Sequence, residues 1–442
     1  MPDRNDRARE AAFRKPELLA PAGDETCLTA ALDAGADAVY FGTSSFNMRV
    51  RAGNFAAEEL SRIVARSHKR GVRAYLALNT IVFESELGVL ETVLDAAADA
   101  GLDAVICWDS AVIAGARARG LEVHLSTQAS VSNSRAIAAH YRGNGIRRFV
   151  LARECSLDHI AAIRRNLRED LGPDADAIEL ELFIHGAMCV SVSGRCFLSE
   201  SVTGDSGNRG ACLQPCRREY RIVDVEGGYE FDIGRDYVMS PMDLCTMPFL
   251  EKILESGAAC LKIEGRMRNP EYVSVVTSSY RRAVDYWFDC IAGKDAGSGG
   301  AEARAGFGEL KSELVESMRT VFNRGFSAGY YMGRPVADWA LAANSRALMR
   351  KEAVGIVTNY YAKLGVAEIL VQSAAIGKGD LLAIQGPTTG HAEFRADSLR
   401  EDGLPVGRAG KGARVTVEVP RRVRRNDAVF RRFEVPEKEK ES

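Results

Sequence analysis

Four of the chain's ten cysteines, Cys189, Cys196, Cys212 and Cys216, fall inside "HGAMCVSVSGRCFLSESVTGDSGNRGACLQPC" (185–216), separated by six, fifteen and three residues. Their neighbours are mostly small and polar, so core packing is a poor reason for the thiols. In a reducing compartment, clustered cysteines point to metal or catalysis rather than to disulfides. Four thiolates can hold a structural zinc, often as two close pairs joined by a longer loop. Here the first pair has a wide gap, which suits zinc less well. An iron–sulfur cluster also takes four thiolates and spreads them around a larger body, so wide gaps are easy to accommodate. Gly194, Gly204, Gly207 and Gly210 let the backbone wrap such a cluster and offer amide donors to its sulfurs. The other six cysteines are scattered. Cys107 and Cys260 lie in apolar strand runs and read as small core residues. Cys245 alone among the six is a substitute ligand.

Nucleophilic hydrolysis needs other parts. The chain has six histidines, with neither an HExxH zinc site nor a GxSxG elbow. Cys189 has His185 four residues before it, yet a thiolate given to a cluster is not free to attack a carbonyl. His185 can instead donate a proton, or serve as a hydrogen-bonded support behind the cluster.

The elements that must position these groups are legible from a recurring phrase. "AGADAVYFG" begins at Ala34, "AGLDAVICWD" at Ala100 and "SGAACLKIEG" at Ser256. Each has a glycine that caps a helix in the left-handed region, then a short apolar strand. Weaker copies surround Gly71, Gly120, Gly145 and Gly172. Seven joints plus the opening strand "PELLAPAG" make eight strands. The segments between them, such as "EELSRIVARSHKR" (58–70), carry apolar residues at spacings of three and four. The fold class is therefore α/β, a (β/α)8 TIM-type barrel, with a doubly wound open sheet as the alternative. Gly172 and Gly257 are 85 residues apart. The cysteine-rich segment (186–245) fills that excess, directly after strand seven, and so emerges on the face where barrel enzymes do chemistry.

On that face the strand ends offer polar groups. Asp24 closes strand one, and Asn47, Arg49 and Arg51 follow strand two. Asn79 closes strand three, Asp109 strand four, Gln128 and Ser130 strand five, and Arg153 and Glu154 strand six. Lys262, Glu264, Arg266 and Arg268 close strand eight. His185, Glu264 and Asp109 are the candidate proton-handling residues. A structural ion-pair network at the rim is the competing reading of Lys262, Glu264 and Arg266.

Residues 1–15 read as a charged tail, and 16–290 as the barrel. The stretch around 291–310 reads as a flexible linker within a 291–345 segment of linker and helices. Short strands divided by Gly, Pro and Asp turns over 346–435 read as a small C-terminal β-barrel, and 436–442 as a second tail. The charge of −2 announces no global field for nucleic acid. Two local patches remain. "NRGFSAGYY" (323–331) sets Arg324 among Phe326, Tyr330 and Tyr331, and Arg421, Arg422, Arg424, Arg425, Arg431 and Arg432 crowd the last strands. Aromatics stack on splayed bases and arginines hold phosphates. The beginning "MPDRNDRAREAAFRK" lacks an apolar run, and no stretch reaches the roughly 18 apolar residues of a membrane span. A cytoplasmic protein without membrane contact is expected.

"ELFIHGAMCVSVSGRCFLS" (181–199) resembles the signature of the collagenase-like peptidase family, at Glu181, Phe183, Gly186, Ala187, Met188, Cys189, Gly194, Cys196, Leu198 and Ser199. "LLAPAGD" (18–24), "GADAVYFG" (35–42), "QASVSN" (128–133) and "KIEGRMRNPEYV" (262–273) are similar to further phrases of it. The resemblance covers roughly 16–290. It implies a TIM-type barrel with a four-iron–four-sulfur cluster held by Cys189, Cys196, Cys212 and Cys216. It also implies oxygen-independent hydroxylation of RNA, on a tRNA wobble uridine or a ribosomal cytidine, with prephenate as a required metabolite. A peptidase, or a cluster-bearing electron-transfer partner without catalysis, are the alternatives. Prephenate carries two carboxylates, which arginine forks match bidentately. Arg49, Arg51, Arg153 and Arg266, with Asn79 and Gln128, are thus the expected substrate-binding residues. The implied partners are RNA, most of all tRNA, a small dicarboxylate, and a protein partner or electron donor.

Overall fold

The computed structural model describes residues 14–50, 52–218, 220–232, 240–292, 298–335, 338, 340 and 345–436. Eight parallel strands form the first domain: β1 (Glu17–Pro21), β2 (Ala38–Phe41), β3 (Arg73–Leu78), β4 (Ala104–Cys107), β5 (Glu122–Leu125), β6 (Arg148–Val150), β7 (Glu179–Ala187) and β8 (Cys260–Ile263). β8 pairs with both β7 and β1, at Cys260↔Glu181 and Glu17↔Cys260, which closes the barrel. Helices α1 (Glu25–Asp33), α2 (Leu60–His68), α3 (Leu87–Asp99), α4 (Ser110–Ala118), α5 (Ser134–Asn144) and α6 (Leu157–Leu171) follow the first six strands. The short α7 (Leu198–Thr203) lies in the cysteine-rich excursion, α8 (Leu250–Glu255) precedes β8, and α9 (Pro270–Cys290) follows it. All seven predicted joint glycines have positive φ, from 57° to 86°. Apolar residues on the outer strand faces, such as Leu18, Val39, Leu76, Val105 and Phe149, pack against the helices. The interior holds Leu19, Tyr40, Tyr75 and Ile106, but also buried Glu17, His124, Arg148, Glu181 and Lys262. Branched apolar residues usually fill that space.

The flexible-linker expectation fails from Ser298 onward, because α10 (Ser298–Arg319) is a continuous helix. Phe307, Leu314 and Met318 repeat at helical spacing and are buried, and the Phe307 ring stacks on Tyr286 of α9. Residues 293–297 lie outside the described residues. The second domain is antiparallel. Its central strand Met349–Tyr361 pairs with Val366–Val371 on one side and Ala428–Glu434 on the other, around a core of Val354, Val357, Ile369, Ile384, Val417 and Val429. It docks on the barrel at α1. Thr29 and Arg66 donate to the Pro387 carbonyl, Arg421 pairs with Asp33 and Arg432 with Glu271. Gly390 has φ +67°, and a Cβ there would sit 3.0 Å from the Ala30 amide nitrogen. Among the described residues no helix is long and apolar enough to cross a membrane.

Candidate active site

The excursion begins where β7 loses its regular alternation. The register with β8 shifts between Phe183 and His185, one extra residue that marks a bulge. Phe183 faces the barrel interior, whereas His185 turns outward among Tyr272, Tyr280 and Phe326. The chain returns along the short strand Asp243–Cys245, antiparallel to the end of β7. Between these points it crosses the barrel mouth. Ser193, Gly194, Gly204, Gly210 and Gln214 adopt positive φ there. At Gly210 a Cβ would lie 2.1 Å from the Asn47 carbonyl oxygen, so only glycine lets this loop rest on the segment after β2.

The irregular backbone brings the four thiols to one cavity of about 250 Å³, which Cys189, Cys196, Cys212 and Cys216 all line. Backbone amides point at two of the sulfurs, Leu198 N–H at Cys196 Sγ and Gln214 N–H at Cys212 Sγ, both 3.3 Å. Burial pushes the Cys216 thiol up; Arg217 works against that, and Cys189, Cys212 and Cys196 add to it. Among the described residues no three His, Cys, Asp or Glu side chains close on a single ion-sized point. Sulfurs that ring a volume, with amides aimed at them, fit a polynuclear cluster. Cys245 is elsewhere, buried on the return strand with its sulfur 3.9 Å from the Tyr280 hydroxyl. Cys107 and Cys260 are buried in strands as expected.

Tyr40, Ile106, Val150 and Phe183 make the apolar part of the cavity, and the charged part is unbalanced. Arg49, Arg153, Arg217, Lys262, Arg266, Arg268 and Arg324 line it; Lys262 pairs with Glu181, and Arg268 and Arg324 lie beside Asp243, which leaves Arg49, Arg153, Arg217 and Arg266 against the single lining carboxylate of Glu264. Glu264 takes Arg49 on one oxygen at 3.2 Å and Arg153 on the other at 3.4 Å. Burial alone would push its carboxyl up, but Arg49, Arg153, Arg266 and Lys262 outweigh it and hold it at about 2. Burial opposes the charge on Arg49, and Glu264 more than restores it. Arg153 also donates to the Ala187 carbonyl at 2.7 Å and lies 3.9 Å over the Phe183 ring. Arg266 is buried, donates to Asn47 at 3.2 Å, and keeps a buried Nε–H without a partner. A buried donor without a partner costs free energy until something accepts from it. Asn79 Nδ2 donates to Gln128 Oε1 at 3.3 Å, and both line the cavity. Lys262 is fixed by Glu181 at 2.7 Å.

Of the expected site residues, the structure brings together the four cysteines, Arg49, Asn79, Gln128, Arg153, Glu264 and Arg266. Arg51 lies outside the described residues. All three proton-handling expectations need correction. Asp109 caps α4, accepting from Ala111 N at 2.9 Å and from Val82 N at 3.1 Å; both oxygens are spent on backbone, and it does not line the cavity. His185 sits behind the wall. Burial, with Arg268 beside it, lowers its imidazole to about 3, so it is a neutral packing group at the bulge. Glu264, held as a firm anion, is neither acid nor strong base, and its visible task is to fix two guanidiniums. The aromatic patch is also reassigned. Tyr331 is half-buried, with its hydroxyl donating to the Phe183 carbonyl at 2.7 Å, and Arg324 stacks on Phe322 and faces the cavity. Burial, then Arg217, lowers its guanidinium to about 10. Arg217 was missed; it follows Cys216 directly, and its Nη2 holds the Met188 carbonyl at 2.6 Å.

An eight-stranded parallel barrel with a thiol-ringed, cation-rich mouth defines the class of this protein. The pattern described as Peptidase family U32 matches residues 23–341. A protein named collagenase from Porphyromonas gingivalis is 38% identical over 418 residues, covering 94% of this chain and 97% of its own length. tRNA hydroxylation protein P1 of Bacillus subtilis is 34% identical over 380 residues, 85% of this chain and 84% of that protein. The 23S rRNA 5-hydroxycytidine C2501 synthase of Escherichia coli is 32% identical over 325 residues, 73% of this chain but 46% of that longer protein. The chain belongs to peptidase family U32.

Proposed function

We propose that this chain is a cytoplasmic iron–sulfur enzyme that hydroxylates an RNA base, the wobble uridine of tRNA, with prephenate as co-substrate. The observation that carries the reading is the coincidence, at one barrel mouth, of four thiols and four cations, Arg49, Arg153, Arg217 and Arg266, with one carboxylate, Glu264, among them. Cys189, Cys196, Cys212 and Cys216 would hold a four-iron–four-sulfur cluster, which supplies one-electron transfer beside the substrate. Arg49 and Arg153, held in place by Glu264, present guanidinium forks to a dicarboxylate, and the spare Arg266 Nε–H donates to it. Asn79 and Gln128 offer amide groups suited to a base edge. A flipped base must fit the same mouth, and unstacking costs a few kcal/mol, least in a loop. Relatives named for tRNA and 23S rRNA hydroxylation support this chemistry.

The relative named collagenase favours a peptidase. Against that, no histidine lines the cavity among the described residues, so no thiol there has an imidazole to activate it. The test is nucleoside mass spectrometry of RNA from a deletion strain. Loss of a hydroxylated uridine from tRNA, restored by the wild-type gene, is the expected result. Unchanged tRNA, together with iron-free protein that cleaves collagen or casein through Cys189, would return the peptidase to first place.

A further inference from the structure

The six C-terminal arginines divide into two groups. Arg421 pairs with Asp33, Arg431 with Glu352 and Asp380, and Arg432 with Glu271 and Glu393. These three serve the fold and the contact between domains. Arg422, Arg424 and Arg425 are exposed, and none has a carboxylate partner among the described residues. All three line an open groove of about 590 Å³, together with Arg414, Tyr360 and Glu368. Glu368 is occupied by Arg414 at 3.4 Å and accepts from Thr358 and Tyr361. The groove therefore keeps three uncompensated positive charges, in a chain whose formal net charge is −2.

The backbone that carries them is fixed. Val423 is buried between Arg422 and Arg424. Asn426 N–H donates to the Val357 carbonyl at 2.8 Å, and Val357 N–H to the Asp427 carbonyl at 2.9 Å. Asp427 Oδ2 accepts from the Arg424 amide at 2.7 Å. Like charges held together repel, and among the described residues none of these three guanidiniums has a carboxylate to offset it. We propose that this groove binds the phosphate backbone of the RNA substrate. This rests on the RNA reading of the barrel mouth. A concave, cationic channel with a tyrosine ring in its wall matches a nucleic-acid strand, whereas a lipid surface is flat. The groove shares no lining residue with the barrel cavity. It is a second contact, made by RNA outside the modified nucleotide.

The test uses the full-length holoenzyme and an in vitro transcribed tRNA, titrated between about 50 and 200 mM salt. The triple variant Arg422→Gln, Arg424→Gln, Arg425→Gln should bind at least roughly tenfold more weakly at low salt. Its slope of log affinity against log salt should be shallower by about 2 to 3. The loss should fall on KM for tRNA, and the triple Arg→Lys variant should recover most of it. Affinity and slope equal to wild type, in an enzyme that still binds and modifies tRNA, overturn the groove alone. So does a triple-lysine variant as weak as the glutamine one, or preferential capture by anionic phosphatidylserine vesicles. A wild type that neither binds nor modifies tRNA overturns the groove and the proposed function together.

Discussion

The two ends of the barrel interior are both charged, and they differ in whether the charges close on themselves. At the amino-terminal end, Glu17 accepts from the Tyr75 hydroxyl at 2.8 Å and from Arg148 at 2.7 Å, with Arg73 outside it. Arg148 turns its other nitrogens to Glu179. Every guanidinium there meets a carboxylate. At the carboxyl-terminal mouth, Lys262 is held by Glu181 and Arg268 and Arg324 lie beside Asp243, but Arg49, Arg153, Arg217 and Arg266 have one lining carboxylate, Glu264, among them, and Arg266 keeps an idle donor. A closed network needs nothing further and belongs to the fold. An open one is finished only by a bound anion, and the proposed thiolate cluster and dicarboxylate are such anions. Breaking the first should therefore cost stability, and breaking the second should cost chemistry.

The largest effect is expected at the thiols. Cys216→Ser should reduce iron from about four per chain to none in anaerobically purified protein and abolish modification. Cys245→Ser, in the core, should keep its iron. Equal iron in both variants would detach the cluster from the mouth. Next come the arginines. Arg153→Ala or Arg266→Ala should keep iron and RNA affinity while modification falls by about 100-fold or more, as when a preorganised donor is removed. Normal modification by both would place the metabolite elsewhere.

At the closed end, Arg148→Met strips Glu17 and Glu179 of a buried partner. Breaking a buried pair costs about 3–5 kcal/mol, read by denaturant unfolding, with turnover preserved at low temperature. A variant as stable as wild type would mean that this end is not closed after all. A further effect is graded with pH. Burial lowers His185 and His391 to about 3, and His124 well below its ordinary value. The unfolded chain then binds these protons first. The stability they contribute is whole above about pH 6.5 and is lost as pH falls toward 3, by up to about 1.4 kcal/mol per unit for each histidine. Glu264, held at about 2, adds its own loss only below about pH 4.5. Unfolding midpoints flat from pH 7 to 4.5 would contradict buried neutral imidazoles.

The barrel was legible because a helix that must stop before a buried strand calls for a positive-φ residue, and glycine announces it seven times. The thiols were legible as a set because their composition suits no core. The sense of His185 was not. Simple alternation puts Phe183 and His185 on one face, and the bulge that separates them leaves only Gly186 as its mark. Asp109 was misread because a strand-end aspartate looks the same whether it meets a ligand or caps the next helix. Arg217 had no signal beyond its place after a cysteine. The division of the C-terminal arginines depended on carboxylates such as Asp33 and Glu271, far away in the chain.

The return strand Asp243–Cys245 has a consequence for how such a site can change. Because Asp243 comes back opposite Ala187, the excursion departs and arrives through one doorway. Closing the doorway asks little of what lies between, since doubling the length of such a loop costs only about 0.6 kcal/mol in closure entropy, and the loop then rests on the rim at a few points, Gly210 on Asn47 and Arg209 on Glu86. The segment that carries the thiols is thus a cassette joined to the barrel at one doorway and seated on its rim at a few points. It can lengthen, shorten or be exchanged while β7 and β8 keep their register, and the arginines on the barrel rim stay where they are to meet whatever the new cassette brings.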